Sequence, residues 1–588
     1  MHQLNTADVL VFATSLLASA GFGIFHAYRR NRNLKLFQNR NNASNSEAES
    51  YFLGNRHLQF FPTAASLFTS FVSAITMVGM PAEFYQYGSD FLGYGFSLGI
   101  GAILAGCFLV PVVYELQLMS TIGYVEVRFH SKPLRTIAAL NAICCTTFYI
   151  GVATMAPCVA LEGVTDFPAW ASIILTGILT LLYSVVGGMS AIVIVDSIQS
   201  FLMFIGLIFA LIVGISNIEG GLSSILETAI DYGRFSIPNF DPDPRRAHSL
   251  YALIIPTIVA NAGLFGMSQG AVQRFSSLPS KRQAVYAVFL AAPLLAFLVI
   301  CLYLLAMTMF THYKIIGCDP LKAGDLGPNQ LATYYVTEII SPFLPGLVGL
   351  WFAAIFSGAI SSISTGYNSV AALFWDNLIK DSHFGKSLSN PKIRISLKLL
   401  SLTVGITSMA IAIAFKYIPG SAVKLVITVT GVFESATYVI WISGLFIPHV
   451  APKGLIIGVL SGISFTGFIA IGHLLGYGTE VDDQLDSVDV NCTAINRTIT
   501  DPQTKIGGFI GNLFGITPFY YHLINIVTGC LIASIASLWF KNDTIKNIQI
   551  KTIHPWCRQF VRTHKERDVV DILTDDEFEL APLRTVSE

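Results

Sequence analysis

The chain has 588 residues, of which 53% are hydrophobic and only 12% are charged, and its formal net charge is −1. Soluble globular proteins carry about 25% charged residues, so the composition argues against a soluble enzyme. The net charge also gives no electrostatic basis for binding nucleic acid, and no such partner is expected.

Apolar segments long enough to cross a bilayer follow one another along most of the chain. A transmembrane helix needs about 20 mainly apolar residues, and a segment in lipid is helical because its backbone groups must bond to each other. The sequence predicts an all-α polytopic membrane protein with about thirteen such helices. Their approximate ranges are 8–28, 60–80, 91–114, 137–161, 170–187, 191–216, 250–273, 284–310, 344–375, 397–416, 421–447, 454–475 and 519–540.

Basic residues in the loops predict the orientation of these helices, because Lys and Arg are enriched on the cytoplasmic side. With thirteen helices, four loops rich in Lys and Arg fall on one side: 29–56, 116–136, 276–283 and 380–396. This arrangement predicts a multi-pass plasma-membrane protein with an extracellular N-terminus and a cytoplasmic C-terminus.

The loop 476–518 is then extracellular, and it is acidic. Asn491 and Asn496 each begin an Asn-X-Thr triplet in this loop, so both are predicted glycosylation sites. Cys492 lies in the same loop, and Cys318 lies in another predicted extracellular loop. A disulfide between Cys318 and Cys492 is therefore a hypothesis, since disulfides persist outside the cell. No Cys/His spacing typical of a metal centre occurs.

Glycine and proline interrupt two apolar segments at matching positions. The second segment carries Gly79 and Pro81, and the seventh carries Gly263, Gly266 and Gly270. Interrupted helices five segments apart indicate an inverted-repeat transporter, whereas the alternative is that these residues are simply common in transmembrane helices. No GxxxxGK[ST], HExxH or GxSxG motif is present, which disfavours ATP hydrolysis and an intramembrane enzyme.

The segment 356–369, FSGAISSISTGYNS, places hydroxyl groups in an apolar helix. One helical face carries Ser357, Ser361, Ser364, Thr365 and Asn368. Neighbouring hydroxyls at positions 361 and 362, with carbonyls freed at a nearby helix break, would form a neutral oxygen cage for a monovalent cation. Helix packing through the small residues at positions 358, 362 and 366 is the alternative, and the spacing alone leaves both open.

Longer sequence motifs suggest a family. They are YFLGNR, SFVSAITMVGMPAEFYQYG, GGMSAIVIVDSIQ, NFDPDPRR, QGAVQRF, CDP, LPGLVGLWFAAIFSGAISSISTGYNSVAA and DNLIK, spread over roughly 50–450. With these motifs the chain resembles the sodium:solute symporter family, and especially its animal branch of iodide, monocarboxylate and multivitamin symporters. The resemblance implies a leucine-transporter-type core of two five-helix inverted repeats, with one helix before it and two after it.

This division predicts six regions. They are an N-terminal helix and loop (1–56), a first repeat (57–216), an extracellular loop (217–249), a second repeat (250–447), two C-terminal helices with a glycosylated loop (448–540) and a cytoplasmic tail (541–588).

The resemblance also implies a sodium site between the first and eighth core helices. Its ligands are the carbonyls of Thr69, Val72 and Gly358 and the hydroxyls of Ser361 and Ser362. With this resemblance, ion binding is favoured over packing for the two serines.

A second site, for sodium or substrate, occurs in iodide-type members of the family. Its counterparts here are Ser70, Thr76 and Tyr149. Leu98 stands where the family has a glutamine, which counts against a second sodium ion and against iodide as the substrate. The charged residues of the sugar branch are also missing, so sugar transport is not expected.

Glu434 lies in the middle of a predicted helix, and an ionisable residue at that depth is a functional hypothesis by default. Three roles are open for this residue. It contacts a cationic group of the substrate, it takes part in proton coupling, or it is protonated and hydrogen-bonded with a structural role. Asn261 and Phe265 are further candidate substrate contacts, although an asparagine that bonds within the bundle is an equal alternative. Asp196 and Arg274 are expected as an interfacial ion pair or carbonyl cap.

These observations predict a sodium-coupled symporter that imports a small organic solute, a monocarboxylate or vitamin-type anion, by alternating access. Its expected partners are the substrate, sodium and the lipid bilayer, and it needs no cofactor besides the coupling ion. One alternative is a transporter-fold protein that acts as an ion-conducting or solute-sensing subunit. Another is a symporter for a cationic solute such as choline.

Overall fold

The computed structural model describes residues 4–38, 47–324, 326–340, 345–417, 421–479, 481, 484–485, 507–543 and 550–560. Throughout these residues the regular structure is helical, and no strand is present among them. Eleven helical segments of the described chain are long and apolar enough to cross a membrane.

The N-terminal part and the first half of the core contain nine α-helices. They are α1 (Thr6–Gln38), α2 (Glu47–Leu53), α3 (Phe60–Phe71), α4 (Ala74–Tyr87), α5 (Leu92–Leu104), α6 (Val110–Glu115), α7 (Gly123–Phe129), α8 (Lys132–Glu162) and α9 (Ala169–Ser216). A π-helical turn, Ala105–Leu109, joins α5 to α6.

The second half of the chain adds twelve α-helices within the described residues. They are α10 (Gly221–Asp231), α11 (Leu250–Met267), α12 (Gln269–Phe275), α13 (Lys281–Ile316), α14 (Leu331–Ile340), α15 (Leu347–Phe374), α16 (His383–Lys386), α17 (Asn390–Phe415), α18 (Ala422–Phe446), α19 (Pro452–Leu474), α20 (Gly508–Phe514) and α21 (Tyr521–Ser537). Short turns at Pro518–Tyr520, Leu538–Asp543, Ile550–Thr552 and Pro555–Phe560 follow or precede the last helix.

The count of thirteen membrane helices is not confirmed and stays a prediction. Two of the eleven segments, Ala74–Glu115 and Ala169–Ser216, have 42 and 48 residues, which is enough for two crossings each. Each is interrupted at a glycine with positive φ: 60° at Gly88 and 56° at Gly188. A Cβ at either position would lie within 2.7 Å of a backbone atom, so both turns depend on glycine.

Two helices of the core are interrupted, but the first break is not at the predicted residues. α4 continues through Gly79 and Pro81, and the break between α3 and α4 lies at Val72 and Ser73. Val72 has φ −100° and ψ 88°, so its carbonyl is turned out of the helical direction. The predicted position was wrong because glycine and proline are tolerated within membrane helices.

The second break falls inside the predicted stretch. α11 ends at Met267 and α12 begins at Gln269, with Ser268 in an extended conformation between them. The Ser268 side chain accepts a hydrogen bond from the backbone N–H of Ala271 and so caps α12. Serine at this position therefore explains why a new helix starts after the break.

Helix α15 occupies the centre of the bundle and packs against α1, α3, α4, α8 and α9. Nearly every residue between Leu347 and Leu373 is buried. A helix that is buried on all sides has to place its hydroxyl groups against other protein atoms, and the neighbours of these groups define the site.

Candidate functional site

The polar face of α15 lies against the break between α3 and α4. Gly358 is the point of closest approach: a Cβ there would lie 3.1 Å from the carbonyl oxygen of Val72 and 3.2 Å from the backbone nitrogen of Ala74. The small residue is thus needed for packing, and the packing brings the freed carbonyl of Val72 to α15. The packing and ion-binding interpretations describe the same surface.

Two serines of α15 reach the last turn of α3. The Ser362 hydroxyl donates to the carbonyl oxygen of Ser70 at 3.3 Å, and the hydroxyls of Ser361 and Ser70 are 3.4 Å apart. Thr69, the preceding residue of α3, is fully buried, and its hydroxyl donates to the carbonyl of Ala65. The structure therefore brings these predicted ligand residues together along the interface of α3 and α15.

A buried ion pair adjoins this oxygen cluster. Asp196 of α9 and Arg274 of α12 are 2.9 Å apart, and neither side chain is exposed. The Ser66 hydroxyl donates to Asp196 at 2.6 Å, and Arg274 donates to the hydroxyls of Ser66 and Thr365. The expected ion pair is confirmed, and it is buried inside the bundle. It connects α3, α9, α12 and α15.

A central cavity of about 210 Å³ opens beside both helix breaks. Among the residues that line it are Ser70, Thr76 and Tyr149, the three residues of the predicted second site, as well as Leu98. Tyr149 lies next to Ser73 and Ser362, so it connects the cavity to the sodium-site residues. No lysine or arginine of the described chain lines this cavity.

The two candidate substrate contacts on α11 differ in position. Asn261 lines the cavity, and its amide donates to the hydroxyl of Ser97 at 3.0 Å, which is the within-bundle bond considered as the alternative. Phe265 is fully buried and does not line the cavity, and its assignment as a substrate contact stays a prediction. Its ring packs edge-on against Phe71, which does line the cavity, at 4.7 Å.

Glu434 lines the cavity on the side of α18. It lies beside Tyr438 and near Cys145 and Tyr149 of α8. The buried Tyr438 hydroxyl interacts with the Glu434 carboxyl group and has no other hydrogen-bond partner among the described residues. The ring of Tyr438 packs against Gly263, where a Cβ would lie 2.5 Å from it, so the hydroxyl is held in place. Sequence reasoning missed Tyr438, although it lies one helical turn after Glu434.

The predicted extracellular features fall mainly outside the described residues. Cys492, Asn491 and Asn496 belong to the part that the structure does not describe. Cys318 is disulfide-bonded, which fits the hypothesis without identifying its partner.

A bundle with two broken helices, a hydroxyl-rich helix against one break and a cavity between them defines a membrane transporter. Comparison with known proteins agrees. The sequence profile of the sodium:solute symporter family matches residues 51–462, and the chain belongs to this family. Human sodium-coupled monocarboxylate transporter 2 is 31% identical over 94% of this chain and 87% of its own length. The human sodium/iodide cotransporter is 32% identical over 80% of this chain and 70% of its own.

Solved structures give the fold independently. A substrate-bound, outward-open Na⁺-coupled sialic acid symporter superposes with a TM-score of 0.69, over 91% of this chain and 98% of its own, at 20% identity. The expected leucine-transporter-type fold is confirmed. The protein is thus a sodium-coupled solute symporter of the membrane, with sodium as its coupling ion, and it is not an enzyme.

Proposed function

We propose that this symporter imports a small organic anion, a monocarboxylate or vitamin-type carboxylate, across the plasma membrane. The observation that carries this proposal is a cavity that no lysine or arginine of the described chain lines, beside a cluster of serine hydroxyls and a freed backbone carbonyl. Sodium bound at this cluster supplies the positive charge that a substrate carboxylate needs, so sodium and substrate bind together. The names of the monocarboxylate-transporting relatives agree with this substrate class.

The sodium ion is bound by the carbonyls of Thr69, Val72 and Gly358 and the hydroxyls of Ser361 and Ser362. Carbonyl and hydroxyl oxygens suit a hard cation, and their neutrality allows a monovalent ion to leave again. The irregular backbone at Val72 lies inside the protein, where interrupted membrane helices are tolerated. Ion binding links α3 to α15 and favours one state of the transport cycle over the other.

The remaining predicted residues belong to the substrate side of the cavity. Ser70, Thr76 and Tyr149 bind either a second sodium ion or the substrate, and Asn261 and Glu434 contact the substrate. The two repeats, 57–216 and 250–447, move relative to each other around these residues, as in other inverted-repeat transporters.

The orientation follows from the loop charges, with the N-terminus outside and the tail in the cytoplasm. In this orientation sodium enters down its gradient. One net positive charge that moves inward across 100 mV releases about 2.3 kcal/mol, which drives accumulation of the solute.

Uptake of labelled solutes into oocytes, with sodium or with N-methyl-D-glucamine as the external cation, tests this function. The screen covers lactate, propionate, nicotinate, biotin, pantothenate, iodide, glucose and labelled choline. Sodium-dependent, saturable uptake of carboxylates is expected, together with its loss in Ser361→Ala/Ser362→Ala. Ser357→Ala is the matched control, because this serine lies on the same buried face and its hydroxyl has no partner among the described residues.

Two other outcomes contradict the proposal in different ways. Sodium-dependent uptake of choline alone identifies a cationic solute. A sodium current without any solute dependence identifies an ion-conducting protein.

A further inference from the structure

A second cavity, of about 300 Å³, lies at the end of the bundle that we assign to the extracellular side. It is formed where α4 ends and α18 begins, together with the segments before α11 and α21. Four basic side chains line it: Arg245, His248, Lys424 and His473. No acidic side chain of the described chain lines it, in contrast to the central cavity, which has Glu434 and no lysine or arginine.

The two cavities are arranged in series. Ile427 and Phe519 line both of them, so these two side chains form the boundary between the outer and the central cavity. A solute that approaches from this end therefore meets the basic residues before it reaches the central cavity.

Neighbouring groups outside the cavity lining orient the basic side chains. Arg245 donates to both carboxylate oxygens of Asp243, at 3.0 and 2.6 Å, and to the amide oxygen of Asn512 at 3.1 Å. Hydrogen bonding by Arg245 lowers the pKa of Asp243, which keeps this pair charged. The arginine is thus fixed with its remaining N–H groups available, since a guanidinium has five donors.

His248 is also held by neighbouring residues. Its Nε2 lies 3.3 Å from the carboxylate of Glu83, and its ring stacks on Tyr87 at 3.5 Å. The other ring nitrogen, Nδ1, is buried without a hydrogen-bond partner among the described residues. Asp243 and Glu83 offset part of the positive charge, and neither of these two carboxylates lines the cavity.

We propose that this outer cavity is a binding site for a small carboxylate, which occupies it before passing Phe519 into the central cavity. Oriented cationic donors that line a cleft raise the local concentration of an anion and speed its association. That the bound carboxylate is the transported substrate rests on the proposed function. That the cavity binds an anion rests only on its lining.

Charge-selective cysteine labelling tests the anion site without transport. Gln484 is an exposed residue of the lining and is replaced by cysteine, Gln484→Cys. The measured quantity is the labelling rate with anionic sulfonatoethyl methanethiosulfonate divided by the rate with its cationic trimethylammonium analogue. We expect this rate ratio to be about ten times larger for the cysteine than for a small thiol in solution. Lys424→Gln should lower this ratio, Lys424→Arg should retain it, and propionate should slow labelling.

The labelling rates distinguish a carboxylate site from a chloride site and from a cavity that binds no anion. A rate ratio that Lys424→Gln and Arg245→Gln leave unchanged overturns the proposal. Protection by chloride but not by propionate, with methanesulfonate as the replacement anion, also overturns it.

Uptake then tests whether the bound anion is the substrate. Lys424→Gln should raise the KM for propionate by about tenfold at low ionic strength, with a smaller effect at high salt and little change in maximal rate. Lys322→Gln is the matched control, since Lys322 is an exposed lysine at the same end that does not line the cavity. Lys424→Arg should restore the wild-type KM.

Failure of this proposal differs from failure of the proposed function. If propionate protects the cysteine but no carboxylate is taken up, the anion site is supported and the proposed function fails. If carboxylates are taken up and Lys424→Gln does not change the KM, the proposed function stands. The proposal that the substrate occupies the outer cavity before the central cavity is then overturned.

Discussion

Asp196 and Arg274 form an ion pair of 2.9 Å with no exposed surface, and Ser70 connects this pair to the sodium-site serines. The Ser70 hydroxyl lies 3.4 Å from both Asp196 Oδ2 and the Ser361 hydroxyl. Four helices thus meet at one charged centre, directly beside the residues that we propose for sodium.

Arg274→Gln should destabilise the protein strongly, because it leaves the Asp196 carboxylate buried without its counter-charge. Loss of one partner of a buried pair costs about 3–5 kcal/mol. The melting temperature of the detergent-purified protein measures the effect, and Asp196→Asn in the same chain should recover part of the loss. Arg282→Gln is the control, because Arg282 is exposed at the start of α13. Equal melting temperatures for Arg274→Gln and Arg282→Gln would show that the ion pair does not stabilise this bundle.

Gly358→Ala should weaken sodium binding by about tenfold. The new Cβ would lie 3.1–3.2 Å from three backbone atoms of the α3–α4 break, which cannot rotate away, so α15 must move. Overpacking of this kind costs about 1–3 kcal/mol, and 1.4 kcal/mol corresponds to a factor of ten in affinity.

The half-saturating sodium concentration for uptake measures this effect in cells with matched surface expression. Gly99→Ala is the control, since the Cβ there has no neighbour closer than 3.9 Å. If both alanine variants keep the wild-type sodium dependence, close approach at Gly358 is not required for ion binding.

The sequence predicted the hydroxyl face of α15, because helical spacing shows which side chains share a face. It predicted the contact of this face with the first core helix through the family resemblance. It misplaced the first helix break by several residues. Val72 and Ser73 carry no intrinsic signal for a break, and the close contact with Gly358, nearly 290 positions later, was not available from local pattern. The contact of Phe265 with Phe71 was likewise not predicted, because Phe71 lies on another helix. Tyr438 was missed because a buried hydroxyl is recognised only after packing is known.

Glu434→Gln should change the selectivity among carboxylates rather than abolish transport. The Glu434 side chain accepts hydrogen bonds, so it favours carboxylates that carry a hydroxyl or amide donor. In the wild-type protein, propionate has no hydroxyl to pair with Glu434, and a site with an unpaired polar group rejects such a ligand. In Glu434→Gln this discrimination is weaker, so the ratio of lactate affinity to propionate affinity should fall by about tenfold.

Competition of unlabelled lactate and propionate against a labelled carboxylate measures this ratio. Tyr438→Phe should shift it in the same direction, since its hydroxyl lies beside Glu434 and lacks another partner among the described residues. If both variants keep the wild-type ratio and the wild-type KM, Glu434 has a structural role and does not contact the substrate.

Cys318→Ser should expose a free thiol at Cys492. Cys318 is disulfide-bonded, and Cys492 is its predicted partner in the acidic loop. In intact cells, a membrane-impermeant maleimide should label neither residue of the wild-type protein and should label Cys492 in Cys318→Ser, as detected by peptide mapping under non-reducing conditions. Cys557→Ser is the matched control, because the predicted topology places Cys557 in the cytoplasm, and its removal should not change surface labelling. Labelling of Cys492 in the wild-type protein would rule out this pairing, and labelling of Cys557 in intact cells would reverse the proposed orientation of the tail.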